Sequence, residues 1–164
     1  MDQQAECHFV SNWVLIPRLG GTRGFMEHLV PLLRTESHCY HFRTAFDACA
    51  LASLNNRVGS GSEFEKESLG LYTKALSSTF GALKDPAMAT KDTTLAAILL
   101  LGLYENISAR QMGMLAWGSH IEGAIQLVKA RGRSILNTQT GRLLFIAVRT
   151  QMVCFLRRSL CMHY

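Results

Sequence analysis

Only three prolines interrupt the 164 residues, and no Cys-x-x-Cys pair occurs among the five cysteines. The first scarcity leaves room for long helices, and the second removes the commonest half-site for structural zinc. Cys7, Cys39, Cys49, Cys154 and Cys161 are odd in number and irregular in spacing, which is no disulfide framework. A reducing intracellular compartment is therefore expected. Charged residues make up only 18% of the chain and apolar ones 48%, which excludes a disordered tail protein. A secretory leader is not expected either, because Asp2 and Glu6 make the start acidic and no apolar stretch of the right kind follows. The longest apolar run, Leu95 to Tyr104, has about half the length of a bilayer crossing, so no membrane span is expected. Gly20-Gly21-Thr22-Arg23-Gly24 lacks the Gly-Lys-Ser/Thr ending of a phosphate cradle and reads as a turn.

What the chain does contain is helical periodicity. Residues 1–24 form an irregular segment in which Phe9, Val10, Trp13, Val14, Leu15 and Ile16 make a short strand or docking piece stopped by Pro17. From residue 25 to 164 the expectation is one helical domain. Met26 to Leu33 predicts a short helix disturbed by Pro31, and Ser37 to Asn55 a longer one with Phe42, Ala45, Phe46, Cys49 and Ala52 inward. Asn55 to Ser62 reads as a loop that ends on Ser62 as a helix cap. Over Glu63 to Leu83 the large apolar residues Leu69, Tyr72, Leu76, Phe80 and Leu83 share one face, which predicts a core-facing stripe. Asp92 to Glu105 is apolar all round and belongs at the centre of a bundle. Met112 to Arg131 follows, with Trp117, Ile121, Ala124, Ile125 and Val128 buried, Gly118 and Gly123 allowing close approach, and Gly132 as a left-handed cap. A last helix runs from about Thr140 and is apolar on more than one face, so a protein partner or a second copy is expected to cover it. The fold class is all-α, an irregular bundle of five to six helices that is incomplete at its C-terminus.

Charge is divided unevenly along this domain. Residues 110–164 hold Arg110, Lys129, Arg131, Arg133, Arg142, Arg149, Arg157 and Arg158 against Glu122 alone. Such asymmetry marks contact with nucleic acid or with an acidic partner. No aromatic residues interleave with the basic ones in the manner of a nucleic-acid motif, so the acidic partner is the better fit.

Candidate reactive groups have simpler structural readings. His38-Cys39-Tyr40-His41 with Cys7-His8 is the only metal-like cluster, and its ligand pairs are poorly spaced for zinc. His120, Glu122 and Cys49 do not make a triad, since residues two apart on a helix face apart, and His120 is expected as a packed core histidine. Asp85 and Asp92 read as turn and cap residues, and Glu105 as half of an ion pair with an arginine. Lys129, Arg131 and Arg133 sit where cations suit a helix C-terminus. No catalytic, cofactor-binding or metal-ligating residue is expected, and no enzyme.

The order of signals does resemble one known family. Tyr72 with Ala75-Leu76, Asp92 with Leu95-Ala96-Ala97 and Leu99-Leu100, and Glu105 lead the pattern. Trp117, His120, Gly123-Ala124, Leu127, Arg131-Gly132, Gly141-Arg142, Phe145 and Arg149 complete it. This is similar to the helical regulatory domain of fungal zinc-cluster transcription factors. The resemblance implies a nuclear regulator (otherwise a cytoplasmic protein) whose helical domain works through coregulator contact, dimerisation or a small-molecule effector. In that family an N-terminal cluster of six cysteines reads DNA, and the cysteines here do not form one. The chain is therefore expected to be a truncated or partial regulator without sequence-specific DNA binding. The alternative is a helical interaction scaffold whose basic C-terminal third binds an acidic partner.

Overall fold

A computed structural model describes residues 3–14, 26–59, 63–108 and 113–161, with side chains in the last stretch from 116 to 157. Among the described residues the structure is all helical: α1 (Gln3–Trp13), α2 (Leu29–Thr35), α3 (Tyr40–Val58), α4 (Glu63–Lys84), α5 (Pro86–Ala89), α6 (Asp92–Ser108), α7 (Gly113–Arg131) and α8 (Gln139–Cys161). A 3-10 helix, Gly132–Asn137, joins α7 to α8. The all-α expectation holds, with more helices than the five to six expected. The glycine turn at 20–24, Ser62 and residues 15–17 lie outside the described residues.

One additional helix is α1, where a strand or docking piece was expected. Its spacing is the reason: Ala5, Phe9 and Trp13 recur every four residues and face α3. Phe9 is fully buried, edge-on to Phe46 at 5.3 Å, and the Trp13 indole N–H donates to Ser53 Oγ at 2.9 Å. Arg43 fastens the same pair of helices by bridging Glu6 and Asp47, each at 2.9 Å. The other addition, the short α5, starts at Pro86 because the Asp85 carboxylate accepts the Ala87 amide at 2.9 Å. Asp85 is thus the capping residue its position implies.

Boundaries elsewhere shift for local reasons. Pro31 falls in the first turn of α2, where its missing N–H costs no intrahelical bond, so the helix continues through it. The expected loop at Asn55–Val58 is instead the last turn of α3, tied down by Asn56 Nδ2 donating to the Ile107 carbonyl at 2.7 Å. Gly59, with φ of 96°, ends that helix.

The core is organised around α6. Every residue from Thr93 to Glu105 is buried, and the helix touches α3, α4, α5, α7 and α8. A helix surrounded on all sides needs no polar face, which is why its sequence offers none. Gly102 permits the close approach of α7, since a Cβ there would lie 3.1 Å from Trp117 Cδ1.

The orientation of α4 departs from the expectation. Its buried positions are the small residues Ser68, Ala75, Thr79 and Ala82. Leu76, Phe80 and Leu83, expected in the core, are 42%, 60% and 40% exposed. α4 packs most extensively on α3, whose buried positions include the small Ala45, Ala48 and Ala52 beside larger ones such as Phe42, Phe46 and Leu51. A small-residue face lets α4 lie close to its neighbours and gain dense contact, and this outweighs burial of the larger row.

At the other end of the core, Arg131 closes α7 against the start of α6. Its guanidinium donates to Asp92 Oδ1 at 2.6 Å, with the two side chains only 11% and 24% exposed. Gly132 follows with φ of 56°, the left-handed cap its position implies. Replacing Arg131 with Met is expected to lower stability by about 2 kcal/mol, since Asp92 would keep a half-buried charge without its partner. Urea denaturation checks this, and a change below about 0.5 kcal/mol would contradict it.

Candidate functional site

The motif residues of α4, α6 and α7 converge on one cluster. The phenol ring of Tyr72 stacks on buried Tyr104 at 4.4 Å, and its hydroxyl lies 3.2 Å from His120 Nε2. One turn before His120, Trp117 is buried edge-on to Phe155 at 5.4 Å, and its indole N–H donates to Gln151 Oε1 at 3.4 Å. Gly118 makes room for Phe155, because a Cβ there would stand 2.9 Å from the ring. Burial holds the His120 imidazole below its ordinary pKa, against an opposing pull from the Glu105 carboxylate. His120 is therefore hydrogen-bonded and packed against Tyr72, as expected, but half-buried at the edge of the core and not inside it.

Beside this cluster opens a groove of about 160 Å³ between α4, α6 and α7. The outward row Leu76, Phe80 and Leu83 forms one wall, Ile98 and Leu101 the floor, and His120 with Gly123 the far rim. Gly123 does not bring helices together as expected. A Cβ there would meet nothing within 4 Å, and its bare backbone borders the groove instead. Substituting Gly123 with Ala is expected to raise stability by about 0.5–1 kcal/mol, through helix propensity alone. A loss in thermal melting would contradict an open rim.

The remaining candidates do not assemble into chemistry. His41 is buried and within 3.2 Å of Thr94 Oγ1, while Cys39 lies 3.6 Å from the same imidazole and His38 points to solvent. The Thr94 hydroxyl donates to the Met88 carbonyl at 2.7 Å, so the imidazole N–H donates to Thr94. Cys7 is exposed on α1, and the neighbouring His8 bonds with Asn12. Among the described residues no three His, Cys, Asp or Glu side chains gather as a metal site. Cys49 is fully buried, donates its thiol to the Leu100 carbonyl at 3.1 Å and has its pKa pushed up by burial, which makes it inert. Glu122 accepts from Gln126 at 2.6 Å, away from His120. Among the described residues Glu105 pairs with no arginine, and Arg131 takes Asp92 instead. That pairing spans 39 positions and has no signal in local spacing.

A buried and a half-buried histidine, each with a lowered pKa, give the domain an acid-sensitive side. Burial lowers His41, with Lys91 adding to the effect, and burial likewise lowers His120. In the unfolded chain both protonate near pH 6.5, so between that value and their lower folded pKa the unfolded state binds more protons. Stability is complete above about pH 6.5 and falls as the pH drops through it. Melting temperatures from pH 8 to 5 are expected to decline on the acid side, and to decline less in His120→Gln. A flat profile would contradict the burial of these rings.

Among the described residues no helix is long and apolar enough to cross a membrane. A family model described as fungal specific transcription factor domain matches residues 7–161. No curated protein and no solved structure matches the chain.

Proposed function

The chain belongs to the family of fungal specific transcription factor domains, and from that membership we propose that it is a regulatory module in the nucleus acting through its contacts. It carries no catalytic step and reads no DNA sequence of its own. The α4–α6–α7 groove is the contact site, and one observation supports this more than any other. Leu76, Phe80 and Leu83 recur at helical spacing as core residues do, yet remain 40–60% exposed along a groove. Large apolar side chains held in solvent, next to a rigid aromatic cluster, are the mark of a surface meant to be covered. The family is a regulatory one and not a family of enzymes, and the hydrogen-bonded state of His120 and Cys49 agrees with a non-catalytic role.

A tethering experiment tests the reading. The chain is fused to an unrelated sequence-specific DNA-binding domain and reporter output is measured in fungal cells. The wild-type fusion is expected to change output, and Leu76→Gln with Phe80→Gln to abolish the change at equal protein level. A fusion indistinguishable from the bare DNA-binding domain would overturn the proposal.

A further inference from the structure

The face of α8 opposite the core carries a second pattern. Leu144, Ala147, Val148 and Gln151 are buried against the bundle. On the outer side Arg142, Ile146, Arg149, Val153 and Leu156 follow one another at steps of four, three, four and three, with Arg157 adjoining. That spacing is the seam of a two-helix coiled coil. Ile146, Val153 and Leu156 are 52%, 59% and 53% exposed, so the seam is bare. Two arginines occupy seam positions, and α8 contains no Asp or Glu. Among the described residues no carboxylate lies within ion-pair distance of Arg142, Arg149 or Arg157.

From this seam we infer that α8 docks an amphipathic helix whose apolar stripe is flanked by carboxylates. The inference deepens the reading of a contact-driven regulator and rests on it, at a surface separate from the α4 groove. A second copy of α8 does not fit. In parallel pairing Arg142 and Arg149 would each face themselves, and in antiparallel pairing, where they meet Val153 and Ile146, the shared seam would still gather four arginines with no carboxylate on either helix to neutralise them. Like charges at seam positions specify against such pairs. A polyanion such as DNA would match the arginines but leaves three apolar side chains without a role. A helix with leucines on one stripe and glutamates beside it satisfies both, and Arg149, held 5.8 Å over the Phe145 ring, is already oriented for it.

The test uses a fluorescein-labelled synthetic peptide of about 18 residues, with leucines at matching seam positions and glutamates opposite the arginines. A scrambled peptide of equal composition and a short DNA duplex are the competing probes. The whole chain is expected to bind the patterned peptide, with affinity falling as salt rises from about 50 to 200 mM. Arg149→Glu with Arg157→Glu, and separately Ile146→Ser with Val153→Ser, are each expected to weaken binding about tenfold or more without altering the melt. Leu76→Gln with Phe80→Gln should leave it unchanged. Equal binding of the scrambled peptide, tighter binding of the duplex, no binding, or self-association lost on the Ile146/Val153 substitutions would each overturn the inference. Such a failure alongside a responsive tethered reporter would sink only the α8 docking, whereas an inert reporter would sink the regulatory reading.

Discussion

Replacing Gly141 with Ala is expected to destabilise the domain by about 3 kcal/mol, a large share of the roughly 5–15 kcal/mol that holds a domain of this size. Gly141 lies in the first turn of α8, where its amide donates to Thr138 Oγ1 at 2.9 Å and completes the helix cap. A Cβ at this position would overlap the Ile135 carbonyl oxygen and stand 2.9 Å from Thr138 Oγ1. Thr138 could turn away only by giving up the cap bond, and the Ile135 carbonyl cannot turn at all. The carbonyl is backbone, in a 3-10 turn anchored by buried Ile135 and by the left-handed Gly132 before it. Urea denaturation reads the loss directly as a lower midpoint at constant slope. A Gly141→Ala protein within about 0.5 kcal/mol of wild type would show that the turn between α7 and α8 is not packed as described.

Truncating Leu100 to Ala is expected to cost about 3 kcal/mol, near the middle of what buried leucines cost. Leu100 is fully buried on α6, the helix that every large element except α1 and α2 packs against. α6 is packed by α3, α4, α5, α7 and α8, so no single movement is expected to close the cavity left behind. Its carbonyl accepts the Cys49 thiol, so the substitution leaves that hydrogen bond in place and isolates the packing loss. A cost below about 1 kcal/mol would mean that the bundle relaxes around α6 and that α6 is not its centre.

The centrality of α6 was legible in the sequence because an all-apolar helix has only one comfortable place. Helix caps at Asp85 and Gly132 were legible for the same local reason, since each depends on one residue type at one position. Tertiary choices were not. The pairing of Asp92 with Arg131 joins two helix ends that are remote in sequence, while the more obvious acid, Glu105, stays with the His120 cluster. α4 presented two candidate faces, and hydropathy favoured the one with Leu76, Phe80 and Leu83. The structure buries the other, whose small residues allow close approach to α3, and no property of α4 alone reports what its neighbours offer. At α1 the pattern of Phe9 and Trp13 was compatible with two periods, and the contact with Phe46 decides for the helix. The same hydropathy hides the groove in the sequence, because the apolar row of its wall has the spacing of core residues.

The stability of the Leu76→Gln, Phe80→Gln protein bears most directly on whether that wall is a working surface. Were these side chains core, two polar replacements would cost several kcal/mol and collapse the cooperative melt. With both exposed along the groove, the account predicts a loss of at most about 1 kcal/mol, part of it from the Lys84 ammonium now 4.4 Å from the Phe80 ring. A melting temperature close to wild type, together with a silent tethered reporter, would establish a surface kept apolar for a partner. Loss of the folded state would contradict the groove and return Leu76 and Phe80 to the core.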